Sequence, residues 1–341
     1  MRFVKLLVMV CALCATWAAP AMAAPFRTEQ VETEFHSARA AIAPGERFTI
    51  VLRQTLADGW HTYWRNPGDS GEATQIMAWH LPAGFRAGDI QWPAPEAIPF
   101  DILVNYGYGH EVLFPITITA PGNLRAGQTA TLSAHVYWLV CKDICIPQEG
   151  DVSLALPVEA QGRDDPTWAP RVAAAVAALP QRTDAAAHIS AGEPARLSLA
   201  LANTAGIRNP HFFPFSRDAI KHSAPEHPRI GDGGLSFALT QGVDHNLGAA
   251  PLEGVVTYEA QAGGRWEKRA LEISAQPGEL IADTDARAAT ISSDYALATQ
   301  EGGAPAAPAN VPPFDTVALF SAIGLAFLGG LILNIMPCVL P

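Results

Sequence analysis

Short runs of alternating hydrophobic and polar positions fill most of this chain. Residues 47–56 open as such a run, with Phe48, Ile50 and Leu52 on one face. A period of two marks a strand with one buried side, and Ala43-Pro44-Gly45 supplies the turn before it. The same reading predicts strands at 31–37, 75–81, 85–91, 112–119, 128–140 and 151–156, separated by turn residues at the spacing of a sandwich. Within 131–140, Leu132, Ala134, Val136 and Trp138 share one face, and Ser133, His135, Tyr137 and Leu139 share the other. Cys141 extends the second face if the strand continues. Residues 60–71 are rich in aromatics and close in a polar Gly/Pro turn. They read either as core aromatics of a strand or as a surface beside the cysteines. Residues 100–110, with Asp101, Tyr106, Tyr108 and two glycines, read as a mobile loop able to cover a neighbouring site, or as an ordinary hairpin.

A helical period is confined to 166–180, where Val172, Val176 and Leu179 recur at helix spacing. It lies in a stretch, 161–194, whose composition shifts to Ala, Asp, Pro and Arg, as a linker does. A second β-rich region follows from 195 to 299, with strands expected at 197–201, 235–240, 254–261 and 269–275. His211, His222 and His227 fall close together there. Three histidines could bind copper or zinc, but irregular loop spacing favours histidines that are solvated or hydrogen-bonded within the protein.

The two ends change the picture. Arg2 and Lys5 precede an apolar run from Leu6 to Trp17, and Ala21-Met22-Ala23 fits a small-x-small cleavage site. Residues 1–23 therefore read as a secretory signal, and Cys11 and Cys14 leave with it. Its removal takes Arg2 and Lys5 from the 22 cations, leaving 20 against 33 acids and a net charge of −13. That balance argues against nucleic acid as a partner. Export implies an oxidising compartment, where thiols tend to pair. At the other end, a Pro/Ala-rich tether at 300–315 leads into the uncharged run 317–336, long enough to cross a bilayer as a helix. The run ends in Met336-Pro337-Cys338-Val339-Leu340-Pro341. Prolines around a membrane cysteine free backbone groups that only protein or water can satisfy, so Cys338 reads as lying at a break facing an interior cavity; a plain anchor with an incidental cysteine is the other reading. The chain reads as the front part of a longer membrane protein. The expected fold is all-β: two immunoglobulin-like β-sandwich domains in tandem (24–160 and 195–299), followed by a transmembrane helix in 316–341.

The candidate chemistry sits at Val140-Cys141-Lys142-Asp143-Ile144-Cys145-Ile146-Pro147. Four extended residue steps span roughly 13 Å, whereas a disulfide holds its Cα atoms within about 7 Å. The two cysteines can therefore bond only across a tight turn or one helical turn. So small a ring stabilises by about 2 kcal/mol, against more than about 4 kcal/mol for a ring of about 100 residues. A pair that braces so little reads first as one that is opened and remade. A small structural staple and half of a metal site are the other readings. Lys142 would favour a thiolate and Asp143 would oppose it.

These motifs together resemble the DsbD family of transmembrane thiol:disulfide interchange proteins, and its ScsB-like branch most closely. Val140 to Pro147 looks like the active segment of the family's exported domain. Pro337-Cys338-Val339-Leu340-Pro341 looks like the first-helix motif of its electron-carrying membrane domain. His61-Thr62-Tyr63-Trp64-Arg65-Asn66-Pro67-Gly68-Asp69 is similar to an ScsB-branch signature. The resemblance implies an immunoglobulin-like exported domain and a protein-disulfide reductase in the inner membrane, with its soluble domains in the periplasm. Cys141 and Cys145 would be the redox pair, Cys145 attacking and Cys141 resolving, and Cys338 the first membrane cysteine. Electrons would pass from cytoplasmic thioredoxin through the membrane domain to periplasmic thioredoxin-fold proteins, such as disulfide isomerases, ScsC-like proteins or apocytochrome maturation factors. No cofactor is implied. The family's second membrane cysteine, its other helices and its carboxy-terminal thioredoxin-like module are absent from these 341 residues. The alternative is a tethered binding module for cytochrome c maturation or copper tolerance, with a purely structural disulfide.

Overall fold

The computed structural model describes residues 25–243 and 246–292. The signal region, the tether, the apolar run 317–336 and Cys338 lie outside them. Twelve strands build the first half: β1 (Phe26–Arg27), β2 (Val31–Ser37), β3 (Arg39–Ala41), β4 (Arg47–Leu56), β5 (His61–Gly68), β6 (Gln75–His80), β7 (Arg86–Ile90), β8 (Glu96–Phe100), β9 (Leu103–Gly109), β10 (Glu111–Thr119), β11 (Thr129–Cys141) and β12 (Cys145–Pro157). All but β3 form two sheets, one in the order β1-β2-β4-β10-β7 and one in the order β12-β11-β5-β9-β8, with β6 alongside β11.

Alternation decides which face is inside. Ile50, Leu52, Phe114 and Ile116 of the first sheet and Trp64, Leu132, Ala134, Val136 and Trp138 of the second are fully buried in one core. The face expected for Leu132 to Trp138 is thus the buried one. β11 and β12 run without a register break from Thr129↔Pro157 to Cys141↔Cys145. β12 begins six residues before the strand expected at 151–156, because pairing to β11 carries Ile146-Pro147-Gln148-Glu149-Gly150 into the sheet. Residues 100–110 are not an open loop: β8 and β9 form a hairpin, turned at Asp101 and Ile102, with Asp101 at φ 55°.

Residues 161–180 carry β13 (Arg163–Asp164), which pairs with β3, and one helix, α1 (Trp168–Ala177). Asp165 Oδ1 accepts the Thr167 and Trp168 N–H groups at 2.8 Å each, satisfying donors a helix start leaves free. Trp168 stacks on His36 at 3.4 Å between ring centroids and carries the Arg171 guanidinium on its ring. This docks the helix against β2. No helix among the described residues is long and apolar enough to cross a membrane.

The second half contains β14 (Gln181–Arg182), β15 (Ala187–Ser190), β16 (Ala195–Ala200), β17 (Ile207–Pro214), β18 (Arg229–Gly231), β19 (Gly234–Leu239), β20 (Leu252–Ala262), β21 (Arg265–Pro277) and β22 (Arg287–Ala288). They join in one sheet, β17-β20-β21-β15-β16-β19-β18-β22, with β14 beside β21. A parallel pair, β15 with β21, links its two antiparallel groups. The two groups enclose a second core, where Phe212 and Val256 meet Leu197, Leu235 and Phe237. The halves also pack on each other: Phe213 and Val255 belong to the first core, and Phe213 lies edge-on to Tyr106 at 4.8 Å.

Candidate functional site

Cys141 and Cys145 form a disulfide with their Cα atoms 4.2 Å apart. They are the last facing pair of the β11–β12 hairpin, and Lys142-Asp143-Ile144 makes the turn. Cys141 has no exposed surface, whereas Cys145 is exposed, as is Ile144 beside it at 63%. The two sulfurs therefore have different access to a partner.

Strand parity explains what covers Cys141. β11 meets β5 at Cys141↔His61, so these two side chains share a face. Tyr63, two residues on, returns to that face. Its hydroxyl donates to Cys141 Sγ at 2.7 Å and lies 3.6 Å from Cys145 Sγ. Asn105 of β9 donates through Nδ2 to Tyr63 Oη at 3.5 Å and to His61 Nε2 at 3.3 Å, and its Oδ1 accepts from Ser70 Oγ at 2.7 Å. Phe100, at the end of β8, lies edge-on to the His61 ring at 6.3 Å. The β8–β9 hairpin thus covers the polar side chains behind the disulfide. Trp64, of opposite parity to Tyr63, fills the core instead. The aromatic segment 60–71 is therefore both things at once: core on one face and thiol surroundings on the other.

Burial sets the protonation states. It pushes the Tyr63 hydroxyl up to about 12, with a Ser70 hydrogen bond opposing. Tyr63 thus remains a hydrogen-bond donor to sulfur at neutral pH. Lys142 is exposed, and its ammonium donates to the Asp58 carbonyl at 3.3 Å, with its stem beside Gly59.

His61 is lowered from 6.5 to about 4 by burial. The unfolded chain therefore binds the extra proton more readily between these values. The stability this contributes is complete above 6.5 and is lost as pH falls toward 4, on the order of 3 kcal/mol in all. Urea unfolding at about pH 7.5 and about pH 4.5 measures it. His61→Gln, whose amide oxygen can still accept from Asn105, is expected to lose less stability on acidification than the parent chain. An equal loss in both would remove His61 from the account.

Of the three neighbouring histidines of the second half, His227 is exposed, and His211 and His222 are held by protein groups. His211 Nδ1 pairs with Glu226 at 3.1 Å, and His222 contacts Tyr106 Oη at 3.1 Å and the Arg217 carbonyl at 2.7 Å. Among the described residues no group of three or more His, Cys, Asp or Glu could hold a metal. The sequence reading missed Tyr63, Asn105 and Ser70 as individual site residues. For Tyr63 the signal was its two-residue spacing from His61; Asn105 and Ser70 carried none.

Comparison with known proteins agrees with this geometry. Residues 29–157 match the family model for the N-terminal domain of the thiol:disulfide interchange protein DsbD. No curated protein sequence matches the chain significantly. Among solved structures, the N-terminal periplasmic domain of ScsB from Proteus mirabilis superposes with TM-score 0.51 at 18% identity, over 76% of this chain and 100% of that one. Spo0M, a sporulation control protein from Bacillus subtilis, gives TM-score 0.20 at 11% identity over 72% of this chain and 91% of its own, too low to bear on fold or function. The family model and the disulfide together fit thiol:disulfide interchange. Residues 29–157 match a DsbD-type amino-terminal domain and share the fold of the ScsB periplasmic domain, with the Cys141–Cys145 bridge at the tip of their longest hairpin.

Proposed function

We propose that this chain is the exported part of a membrane protein-disulfide reductase. In this reading Cys141 and Cys145 pass electrons to disulfides of periplasmic thioredoxin-fold proteins. The observation that carries it is the asymmetry of the pair: an exposed Cys145 bonded to a buried Cys141 whose sulfur accepts a hydrogen bond from Tyr63. In the reduced state the Cys145 thiolate attacks one sulfur of the partner disulfide, and the other partner sulfur leaves as a thiolate. The Cys141 thiolate then attacks Cys145 Sγ, closing the bridge and releasing the second partner thiolate. Two electrons move to the partner, which gains a dithiol as the chain gains a disulfide.

The solved ScsB domain is periplasmic, which supports placing residues 24–299 in that compartment. These would comprise the redox domain 24–160, the linker 161–194 and a second domain 195–299. Recharging would come from cytoplasmic thioredoxin through the membrane domain, with Cys338 as its first cysteine. Isomerases, ScsC-like proteins and cytochrome maturation factors offer the same chemistry to Cys145.

Equilibration against defined dithiol buffers tests this reading. The pair is expected to exchange within minutes and to poise between about −300 and about −180 mV, the range of thioredoxin-class couples. A value well below about −300 mV would make the bridge a brace and leave the structural reading in its place.

A further inference from the structure

The segment 60–71 holds more than the disulfide uses. His61 and Tyr63 face the sulfurs and Trp64 faces the core. The remaining residues are the end of β5 and the turn after it, which the second half of the chain grips. Asn66 is 2% exposed. Its Nδ2 donates to the Pro214 carbonyl at 2.7 Å, and its Oδ1 accepts the Gly68 N–H at 3.0 Å. Arg217 donates to the Asp69 carbonyl at 3.2 Å. Both contacts join residues about 150 positions apart in the chain and tie the outer side of the turn to the end of β17 and the segment after it.

The inner side of the same turn walls the tyrosine. A Cβ on Gly71, whose φ is +97°, would lie 2.1 Å from Tyr63 Cε1, so the turn backbone is packed directly against that ring. Asp69 strands the turn to β9, exchanging hydrogen bonds with Val104: Asp69 N–H to the Val104 carbonyl at 3.0 Å, and Val104 N–H to Asp69 Oδ2 at 2.8 Å. Ser70 then holds Asn105, which contacts the Tyr63 hydroxyl. A continuous set of contacts therefore runs from the second half, through one short turn, to the sulfur of Cys141.

We propose that Asn66 and Arg217 are positioning residues. Through the 66–71 turn they hold the Tyr63 O–H on Cys141, so the second β half tunes the reactivity of the disulfide and is more than a spacer. The inference rests on the reading of Cys141–Cys145 as a bridge that opens. When an incoming thiolate bonds to Cys145 Sγ, the old S–S bond breaks and its electron pair leaves on Cys141. A hydrogen bond to the developing thiolate is stronger than one to the neutral sulfur and makes it a better leaving group.

The test measures the rate at which dithiothreitol opens the bridge in the full chain, for Asn66→Ala and Arg217→Ala, each in the parent and in a Tyr63→Phe background. Loss of two buried hydrogen bonds predicts about tenfold slower opening for Asn66→Ala, and loss of one weak exposed contact about threefold for Arg217→Ala. In the Tyr63→Phe background both effects are expected to fall within a factor of about two of no change, because the hydroxyl they position is gone. The apparent pKa of the released thiolate, read by its ultraviolet absorbance, is expected to rise in the parent background only. Equal slowing in both backgrounds, or no slowing in either, overturns the proposal. If Asn66→Ala does not fold, the exposed Arg217 decides alone. Because the reductant is a small dithiol, the outcome is independent of whether any protein partner is reduced. Failure of the coupling and failure of the reductase reading are thus separate results.

Discussion

Cys141→Ala, in a chain that also carries Cys338→Ala, is expected to accumulate a mixed disulfide through Cys145 with a thioredoxin-fold partner, while Cys145→Ala accumulates none. The exposed sulfur is the one a second protein can reach, and Cys141, without exposed surface, can attack only its neighbour. Removing Cys141 leaves the first exchange intact and deletes the step that releases the partner, so the adduct persists. Removing Cys145 deletes the first step itself, and disulfide reduction is expected to fall by about a thousandfold or more, as for loss of an attacking nucleophile. Non-reducing electrophoresis of both variants, after mixing with an oxidised partner, gives the answer. An adduct from Cys145→Ala in place of Cys141→Ala would reverse the assigned roles. No adduct from either would remove the interchange reading.

Trp138→Ala is expected to destabilise the chain by about 3–5 kcal/mol, the cost of deleting a large buried aromatic that cannot be refilled. Trp138 is fully buried and stands three residues before Cys141 on the same strand. Its ring meets Phe26 edge-on at 5.6 Å. Its indole N–H donates at 3.0 Å to Gln148, the residue directly opposite on β12. Gln148 in turn donates to Gln30 at 2.9 Å, fixing the hairpin to the chain before β2. The substitution therefore empties the core and frees the base of the hairpin that presents the cysteines. Urea unfolding followed by fluorescence and by circular dichroism measures it. A midpoint change worth less than about 1 kcal/mol would show that the hairpin is held elsewhere.

Local pattern made much of the first half readable. β2 and β4 begin and end where alternation and turn residues place them, because both the periodicity and the breakers are local. The disulfide is equally local, since two cysteines four positions apart can meet only across a turn. β12 was harder to read. Residues 146–150 hold a proline and a glycine and lack alternation, and they become strand only because β11 offers a thirteen-residue partner. The β8–β9 hairpin is the same case: glycines and an exposed Ile102 suggest a loop, yet pairing of Glu96↔Gly107 and Ile98↔Asn105 orders it.

The amino-acid sequence by itself determined an all-β class, the place of the cysteine pair and the chemistry two close cysteines can perform. Only the tertiary structure decided which sulfur is buried, that Tyr63 donates to it, and that Asn66 and Arg217 reach the same turn across about 150 residues. The physical reason is that a side chain's accessibility and hydrogen-bond partners depend on which strands become neighbours. That choice is made by burial summed over whole sheets, which no local window of the chain contains.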